Sequence, residues 1–285
     1  VYPLPPLHEG MLFESLKSTV AGVYVSQSVL TLRGTLDPIA MQAAWRDVID
    51  HFPILRTAFA YQAHERPLQM VFKSVEFTLA QEDWRAWSTE VREVRLQELL
   101  QQERTRGFDF ARAPVMTVVL LRFAADEFRM LWTHHHILLD GWSIPRVYEA
   151  LVRAYEARLR AQPLTLNYAE PYESYIRWLA QQDQGKAKAF WCDYLSGFED
   201  KTALPLVRSE RPEGLKPDTV YAKREFTLSA ELYVALDENA RKHRLTLNTF
   251  MQFAWGLLLS RYTGSTDVIF GAVSSGRSPE LRDAD

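Results

Sequence analysis

The segment that most constrains this chain is Met130-Leu131-Trp132-Thr133-His134-His135-His136-Ile137-Leu138-Leu139-Asp140-Gly141-Trp142-Ser143. It is an apolar run that ends in three histidines, with an acid four residues after the last and a glycine next to that acid. If 127–136 is a strand, alternation puts Phe128, Met130, Trp132, His134 and His136 on one face and Arg129, Leu131, Thr133 and His135 on the other. His136 then stands at the strand rim. Gly141 allows a tight turn or a close backbone approach at the exit. Ser143 is placed to cap a helix with Pro145 in its first turn and Tyr148, Leu151, Val152, Tyr155 and Leu159 as its apolar stripe. Asp140 falls in the turn, held inside if a basic side chain pairs with it.

Three readings compete for such a run. A metal site is disfavoured, because neighbouring strand residues point to opposite faces and no Cys, Glu or further His lies at ligand spacing nearby. A buried core histidine and an acid–base histidine both remain, and a bare His-x-x-x-Asp spacing does not separate them.

Composition narrows the class. With 285 residues, 47% hydrophobic and 24% charged, the chain is long enough for more than one core. A net charge of -3 without a basic stripe argues against nucleic acid as the main partner. No apolar run approaches the ~20 residues that span a bilayer, and the N-terminal stretch lacks a secretory pattern. Cys192 stands alone, so no intrachain disulfide framework is expected, and the cytoplasm is the expected compartment. No phosphate-binding Gly-rich loop and no internal repeat is evident.

Along the chain, 23–32 alternates like a strand, and Asp37-Pro38 starts a helix with Met41, Ala44, Trp45, Val48 and Ile49 on one face. Residues 68–79 suggest an edge strand pair. Residues 84–106 form a charged helical region with a solvated face. Residues 117–123 pair with 128–136 as a hairpin, so the histidine run rides on a sheet. Helices at 229–244 and 247–262 follow an expected strand at 221–228, the second helix capped by Thr246 and ended near Gly264. Residues 267–277 read as a buried strand running into a polar turn.

The string His135-His136-Ile137-Leu138-Leu139-Asp140-Gly141 reads HHxxxDG and resembles the signature of condensation domains of nonribosomal peptide synthetases, within the chloramphenicol acetyltransferase-like superfamily. Other segments resemble that family's motifs in order. Pro3-Leu4-Pro5 to Gly10-Met11-Leu12-Phe13 resembles its opening. Leu55-Arg56-Thr57 and Phe59 resemble its second motif, although His51, Phe52 and Pro53 stand where the family has Arg, His and Glu. Phe108-Asp109-Phe110 to Pro114 resembles the approach to the central strands, Pro171-Tyr172 to Leu179 the crossover, and Val268-Ile269-Phe270-Gly271 to Ser275-Gly276-Arg277 the strand from the second lobe.

This resemblance implies an α/β fold of two chloramphenicol acetyltransferase-like sandwich lobes in a V-shape. Residues 1–170 would be the N-terminal lobe, and 171–285 the crossover and part of a C-terminal lobe that is incomplete in this chain. It implies attack of a carrier-bound acceptor amine on a carrier-bound donor thioester. His136 would accept the amine proton or orient the amine by a hydrogen bond, and Gly141 would admit backbone near the developing oxyanion. His135 and Asp140 would support the site, with Arg277 the first choice to pair with Asp140 and Arg56 the second. Trp142, Ser143, Trp191 and Ser275 are candidate tunnel-lining residues.

No metal and no bound cofactor is implied. The phosphopantetheine arms would arrive on upstream and downstream peptidyl carrier domains, with adenylation or epimerisation domains adjacent. The motif variants resemble the subtype that takes a D-configured donor and an L-acceptor. The alternatives are a starter domain that acylates with a fatty acid, an epimerisation domain, a noncatalytic recruiting relative and acyl transfer from free coenzyme A. Epimerisation domains usually continue as Asp-Gly-x-Ser-Trp-Arg; here Trp142 precedes Ser143 and Ile144 follows, which counts against epimerisation.

Overall fold

The computed structural model describes residues 1–62, 66–168, 170–198, 202 and 225–277. These fall into two compact units, Val1–Gln182 together with Arg277, and Asp183–Gly276. The first unit therefore runs through the segment that sequence analysis gave to the crossover.

In the first unit, β1 (Tyr2–Pro3) precedes α1 (Pro6–Lys17) and β2 (Val25–Arg33). Next come α2 (Pro38–His51), a 3-10 turn (Pro53–Arg56), β3 (Thr57–Ala60), β4 (Leu68–Val71) and β5 (Ala80–Asp83). The long helix α3 (Thr89–Arg106) leads to the hairpin β6 (Met116–Arg122) and β7 (Glu127–His135), then α4 (Ser143–Leu159) and α5 (Tyr172–Ala180). A four-stranded sheet has the order β2-β7-β6-β5, antiparallel except where β5 pairs parallel with β6, and a three-stranded sheet has the order β1-β4-β3. β7, the strand that carries the histidines, is thus an interior strand held on both edges.

The larger core forms where α2 and α4 cover one face of that sheet. Met41, Ala44, Trp45, Val48 and Ile49 of α2 meet Met130 and Trp132 of β7 and Val147, Ala150, Leu151 and Ala154 of α4. A smaller core forms on the opposite face, where Leu96 of α3 packs with Trp84, Val119, Leu121, Phe123 and Leu131. The charges of α3 are mostly solvated, but Glu103 is buried and takes a 2.7 Å hydrogen bond from the Thr117 hydroxyl and a 2.8 Å bond from Arg106.

Asp37 caps α2, its carboxylate accepting the Ile39 and Ala40 amides at 2.8 and 3.2 Å, while its own amide donates to the Tyr155 hydroxyl of α4 at 2.9 Å. Asp37→Ala is expected to cost about 1 kcal/mol, measurable as a lower urea midpoint at constant slope.

Several expectations are corrected. Only 68–71 of the expected 68–79 strand pair is extended, and β4 lies between β1 and β3 instead of at an edge. On α4, Val152 and Leu159 are exposed while Val147, Ala150, Leu151 and Ala154 are buried. The stripe that packs into the larger core runs through 147, 150, 151 and 154, with Tyr148 and Tyr155 partly buried at its edge.

The second unit holds α6 (Gln184–Tyr194), α7 (Ala230–Lys242) and α8 (Leu247–Thr263), with Thr246 capping α8 and Gly264 ending it at φ 72°. Of the expected strand at 221–228, residues 221–224 lie outside the described residues and 225–228 are not extended into a sheet. The expected buried strand over 267–277 is also absent as a strand, and Val273 is 84% exposed. A strand exists only through hydrogen bonds to a neighbouring strand, and the described residues of the second unit include no partner strand. No helix among the described residues is long and apolar enough to cross a membrane.

Candidate functional site around the histidine run

The three histidines have different surroundings because β7 ends between the second and the third. His134 is buried in the larger core, its ring 4.6 Å from that of Trp132 and tilted 35°. Burial, and then the neighbouring His136, push its pKa down to about 4.

His135 is buried on the other face, and both its ring nitrogens are engaged. The Ile137 amide donates to Nδ1 at 3.2 Å, so Nδ1 carries the lone pair and the proton is assigned to Nε2, which lies 3.0 Å from Ser15 Oγ. The Ser15 hydroxyl in turn donates to the Met11 carbonyl at 2.7 Å. The ring also meets Phe110 edge-on at 4.8 Å. Burial foremost pushes the pKa of His135 down to about 4.

His136 lies just past the strand and is half-buried. Its amide donates to the carbonyl of Tyr24 at 2.8 Å. Its Nδ1 is sealed from solvent without a partner, whereas Nε2 is not so sealed.

Asp140 organises the turn. It accepts the Ser143 amide at 2.8 Å and the Ser143 hydroxyl at 2.6 Å, and Arg277 donates to its two oxygens at 2.8 and 3.3 Å. Burial would raise the carboxyl, but the bonds from Arg277 and Ser143 and the charge of Arg277 outweigh it, holding the pKa below the usual carboxylate range. Arg277 is thus the partner expected first. Arg56, the second choice, instead donates to the backbone carbonyls of Ile49, Asp50 and Phe72, tying the end of α2 to the residue after β4.

Two further expectations change. Ser143 is the first residue of α4 and is itself capped by Asp140, so it is not the cap. Gly141 does not need to be glycine for the chain's own sake. Its φ is not positive, and a Cβ built there would meet no atom within 4 Å. That open, exposed backbone leaves room for a ligand to approach.

Trp142 is 51% exposed, with the Arg277 guanidinium 6.0 Å from its ring. A groove of about 200 Å³ opens behind the turn, lined by His51, Phe52, Leu139, Ser143, Arg146 and Arg277 among others, but not by His136. Trp191 and Ser275 belong to the second unit; Trp191 is exposed on α6, edge-on to Phe190 and Tyr194.

One neighbour went unnoticed in the sequence. His8 of α1 stacks on Tyr172 of α5, with ring centroids 5.4 Å apart and planes inclined by 13°, and its Nε2 is 3.3 Å from the Tyr172 hydroxyl. Burial and then His136 push the pKa of His8 down to about 4. A histidine inside Pro-Leu-His-Glu-Gly has no spacing that links it to residue 136, so only its chemical type could have flagged it.

Three histidines held neutral by burial predict an acid-labile fold. Their folded pKa lies below the unfolded value, so the unfolded chain binds more protons between about 6.5 and about 4. Stability is full above that window and is lost as pH falls through it, on the order of 3 kcal/mol for each such ring. Melting temperature should drop steeply from pH 7 to pH 5, and a His134→Leu variant should show a shallower drop.

The family model for the condensation domain matches residues 1–285. The linear gramicidin synthase of Brevibacillus parabrevis includes a protein that is 40% identical over 281 residues, covering 99% of this chain and 5% of that protein. Bacitracin synthase 3 of Bacillus licheniformis is 35% identical over 285 residues, covering 99% of this chain and 4% of that protein. The chain therefore spans about a twentieth of the length of these relatives.

Among solved structures, a mutant starter condensation domain of rhizomide synthetase RzmA matches with TM-score 0.76 at 19% identity, over 94% of this chain and 59% of that one. The first condensation domain of the CDA synthetase matches with TM-score 0.72 at 17% identity, over 94% and 63%. With its HHxxxDG residues at the end of an interior strand, its Asp140–Arg277 pair, and a family match along its length, the chain belongs to the condensation domain family.

Proposed function

We propose that this domain joins a carrier-bound donor peptidyl or acyl thioester to a carrier-bound aminoacyl amine, as a step of nonribosomal peptide synthesis in the cytoplasm. One observation carries the reading. Of the three histidines, His136 alone is both at the strand rim and only half-buried, with an Nε2 that is not sealed.

In this reading the acceptor nitrogen attacks the thioester carbonyl, a C–N bond forms, and the C–S bond breaks. His136 Nε2 accepts the amine proton and returns it to the departing thiolate. An α-amine with a pKa of roughly 7.7 to 8 is already a fair nucleophile, so holding amine and thioester together supplies much of the gain. His135 cannot serve, since both its nitrogens are bonded, and His134 is enclosed by core. Gly141 leaves its backbone open to the oxyanion side, and Trp142 and Ser143 are the tunnel residues that follow it in the turn. The arms are phosphopantetheine on carrier domains of the same assembly line, with adenylation or epimerisation domains as neighbours. The relatives named for linear gramicidin and bacitracin support a peptide product. A D-configured donor and an L-acceptor are the expected substrates.

The test supplies the full synthetase module with donor and acceptor on separate carriers and follows amide by mass spectrometry. Product that needs both carriers supports the proposal. Acylation from free coenzyme A, or exchange of the donor α-hydrogen without amide, would replace it with acyl transfer or epimerisation. Product only with a fatty acyl donor would make this a starter domain.

A further inference from the structure

We infer that Tyr24 is a positioning residue for His136: the left-handed backbone of Tyr24 aims its carbonyl at the His136 amide, and that bond fixes where and at what angle the histidine leaves β7. The inference rests on His136 being the proton acceptor and adds the device that holds it.

Among the described residues, three that are not glycine have positive φ: Tyr24 at 56°, Ala161 at 49° and Arg244 at 55°. Ala161 and Arg244 each lie two positions past the last residue of a helix, α4 and α7, where a left-handed residue commonly closes the final turn. Tyr24 closes no helix. It stands directly before β2, where an extended backbone with φ near about −140° would simply continue the strand. The left-handed region disfavours any side chain with a Cβ, and a bulky ring more than asparagine. Such a conformation persists only where its surroundings impose it.

The surroundings do so on two sides. Gly22 has φ 79°, and the Val25 amide donates to its carbonyl at 3.1 Å, closing a turn over 22–25. Arg104 of α3 lies against that turn, so near that a Cβ on Gly22 would come within 2.2 Å of the arginine Cγ. The Tyr24 ring stands edge-on to His135, with centroids 6.1 Å apart and planes inclined by 68°. Regular pairing of β2 with β7 ends at Val25 and His135. One position farther, the Tyr24 carbonyl still takes the His136 amide at 2.8 Å. Facing residues of an antiparallel pair share a face, so an extended Tyr24 would stand its ring on the side of His136. The left-handed backbone keeps the bond and places the ring against His135 instead. The next two amides, of Ile137 and Leu138, both return to His135, at its Nδ1 (3.2 Å) and its carbonyl (3.1 Å). The bond to Tyr24 is thus what ties the His136 peptide across the sheet before the chain turns back.

The experiment follows hydrogen exchange at the His136 amide by fragment mass spectrometry in the full module, with kcat, KM and melting temperature measured alongside. Tyr24→Val resists the left-handed region, where a β-branched residue is a steric outlier. It should lose protection at His136 and lower kcat about 10- to 100-fold, the scale of a reacting group misplaced by about an ångström, with KM for the acceptor-loaded carrier largely kept. Tyr24→Asn tolerates that region without supplying a ring, and should restore most of the protection and most of kcat. Tyr24→Gly, free of both the steric penalty and its constraint, keeps the test open if the valine variant does not fold; it should melt near wild type and still lose protection. Wild-type kcat with full protection in either the valine or the glycine variant overturns the inference. So does an asparagine variant as impaired as the valine one, which would make the ring and not the backbone the part that positions His136. Absence of amide from wild type would instead overturn the proposed reaction, and the exchange data would still decide whether Tyr24 holds His136.

Discussion

Replacing His136 by alanine should lower amide formation by about 100- to 10,000-fold, the usual range for a positioned acid–base group, while the melting temperature stays close to that of wild type. The two effects separate because of where the residue lies. His136 is half-buried beyond the end of β7, and its structural tie is the bond from its backbone amide to the Tyr24 carbonyl, which alanine retains. The side chain adds little packing, since the core of β7 is built by Phe128, Met130 and Trp132. His135→Ala should do the reverse. It breaks a chain of bonds from the Ile137 amide through the ring to Ser15 and leaves a void against Phe110, so stability falls and activity falls with it. Single-turnover kinetics on both variants, alongside thermal melts, would decide this. Wild-type turnover in His136→Ala would remove that residue from the mechanism.

Asp140→Ala is expected to cost about 1–3 kcal/mol, more than Arg277→Ala. Removing the carboxylate takes away the acceptor for the Ser143 amide at the start of α4 and also deprives the Arg277 guanidinium of its counter-charge. Removing Arg277 leaves Asp140 still bonded to the Ser143 amide and hydroxyl. The side chains of Arg277 and Asp140 are 20% and 33% exposed, so solvent screens the pair in part and the figure stays below that of a fully buried one. The pH dependence has a definite sign. A carboxyl whose folded pKa is lowered adds stability above its unfolded value, and loses it as pH falls through the folded value. The difference in stability between wild type and Asp140→Asn should therefore be full near neutral pH and vanish in strong acid. Equal losses in the Asp140 and Arg277 variants would mean that the ion pair, not the helix start, is what Asp140 contributes.

Local pattern made much of this protein legible. The alternation of 127–136 and the Ala124-Ala125-Asp126 break specified the hairpin of β6 and β7, and Asp37-Pro38 with its apolar spacing specified the start and the buried face of α2. Faces on β7 were readable for the same reason, since a period of two decides which histidines share a side. Where a feature depends on which other segment comes to lie beside it, the pattern was silent or misleading. Leu68–Val71 looks like an edge but is sandwiched by β1 and β3, and β1 is only two residues long and carries no strand signature. Residues 267–277 have the composition of a buried strand, yet extended backbone needs a neighbour's hydrogen bonds before it is a strand at all.

The site divides in the same way. Sequence by itself determined the chemical inventory of the turn: a histidine at the strand rim, an acid four residues on, and a glycine after it. Short-range geometry follows from bond lengths and alternation, so these few residues are confined to one place whatever the rest of the chain does. Tertiary structure decided the partners. Arg277 reaches Asp140 across 137 positions, Ser15 reaches His135 across 120, and Tyr172 reaches His8 across 164. No periodicity spans such separations. That His135 has both ring nitrogens engaged, and so is not the histidine open to a substrate, depends on Ser15 of α1 lying beside it, which no local pattern announces.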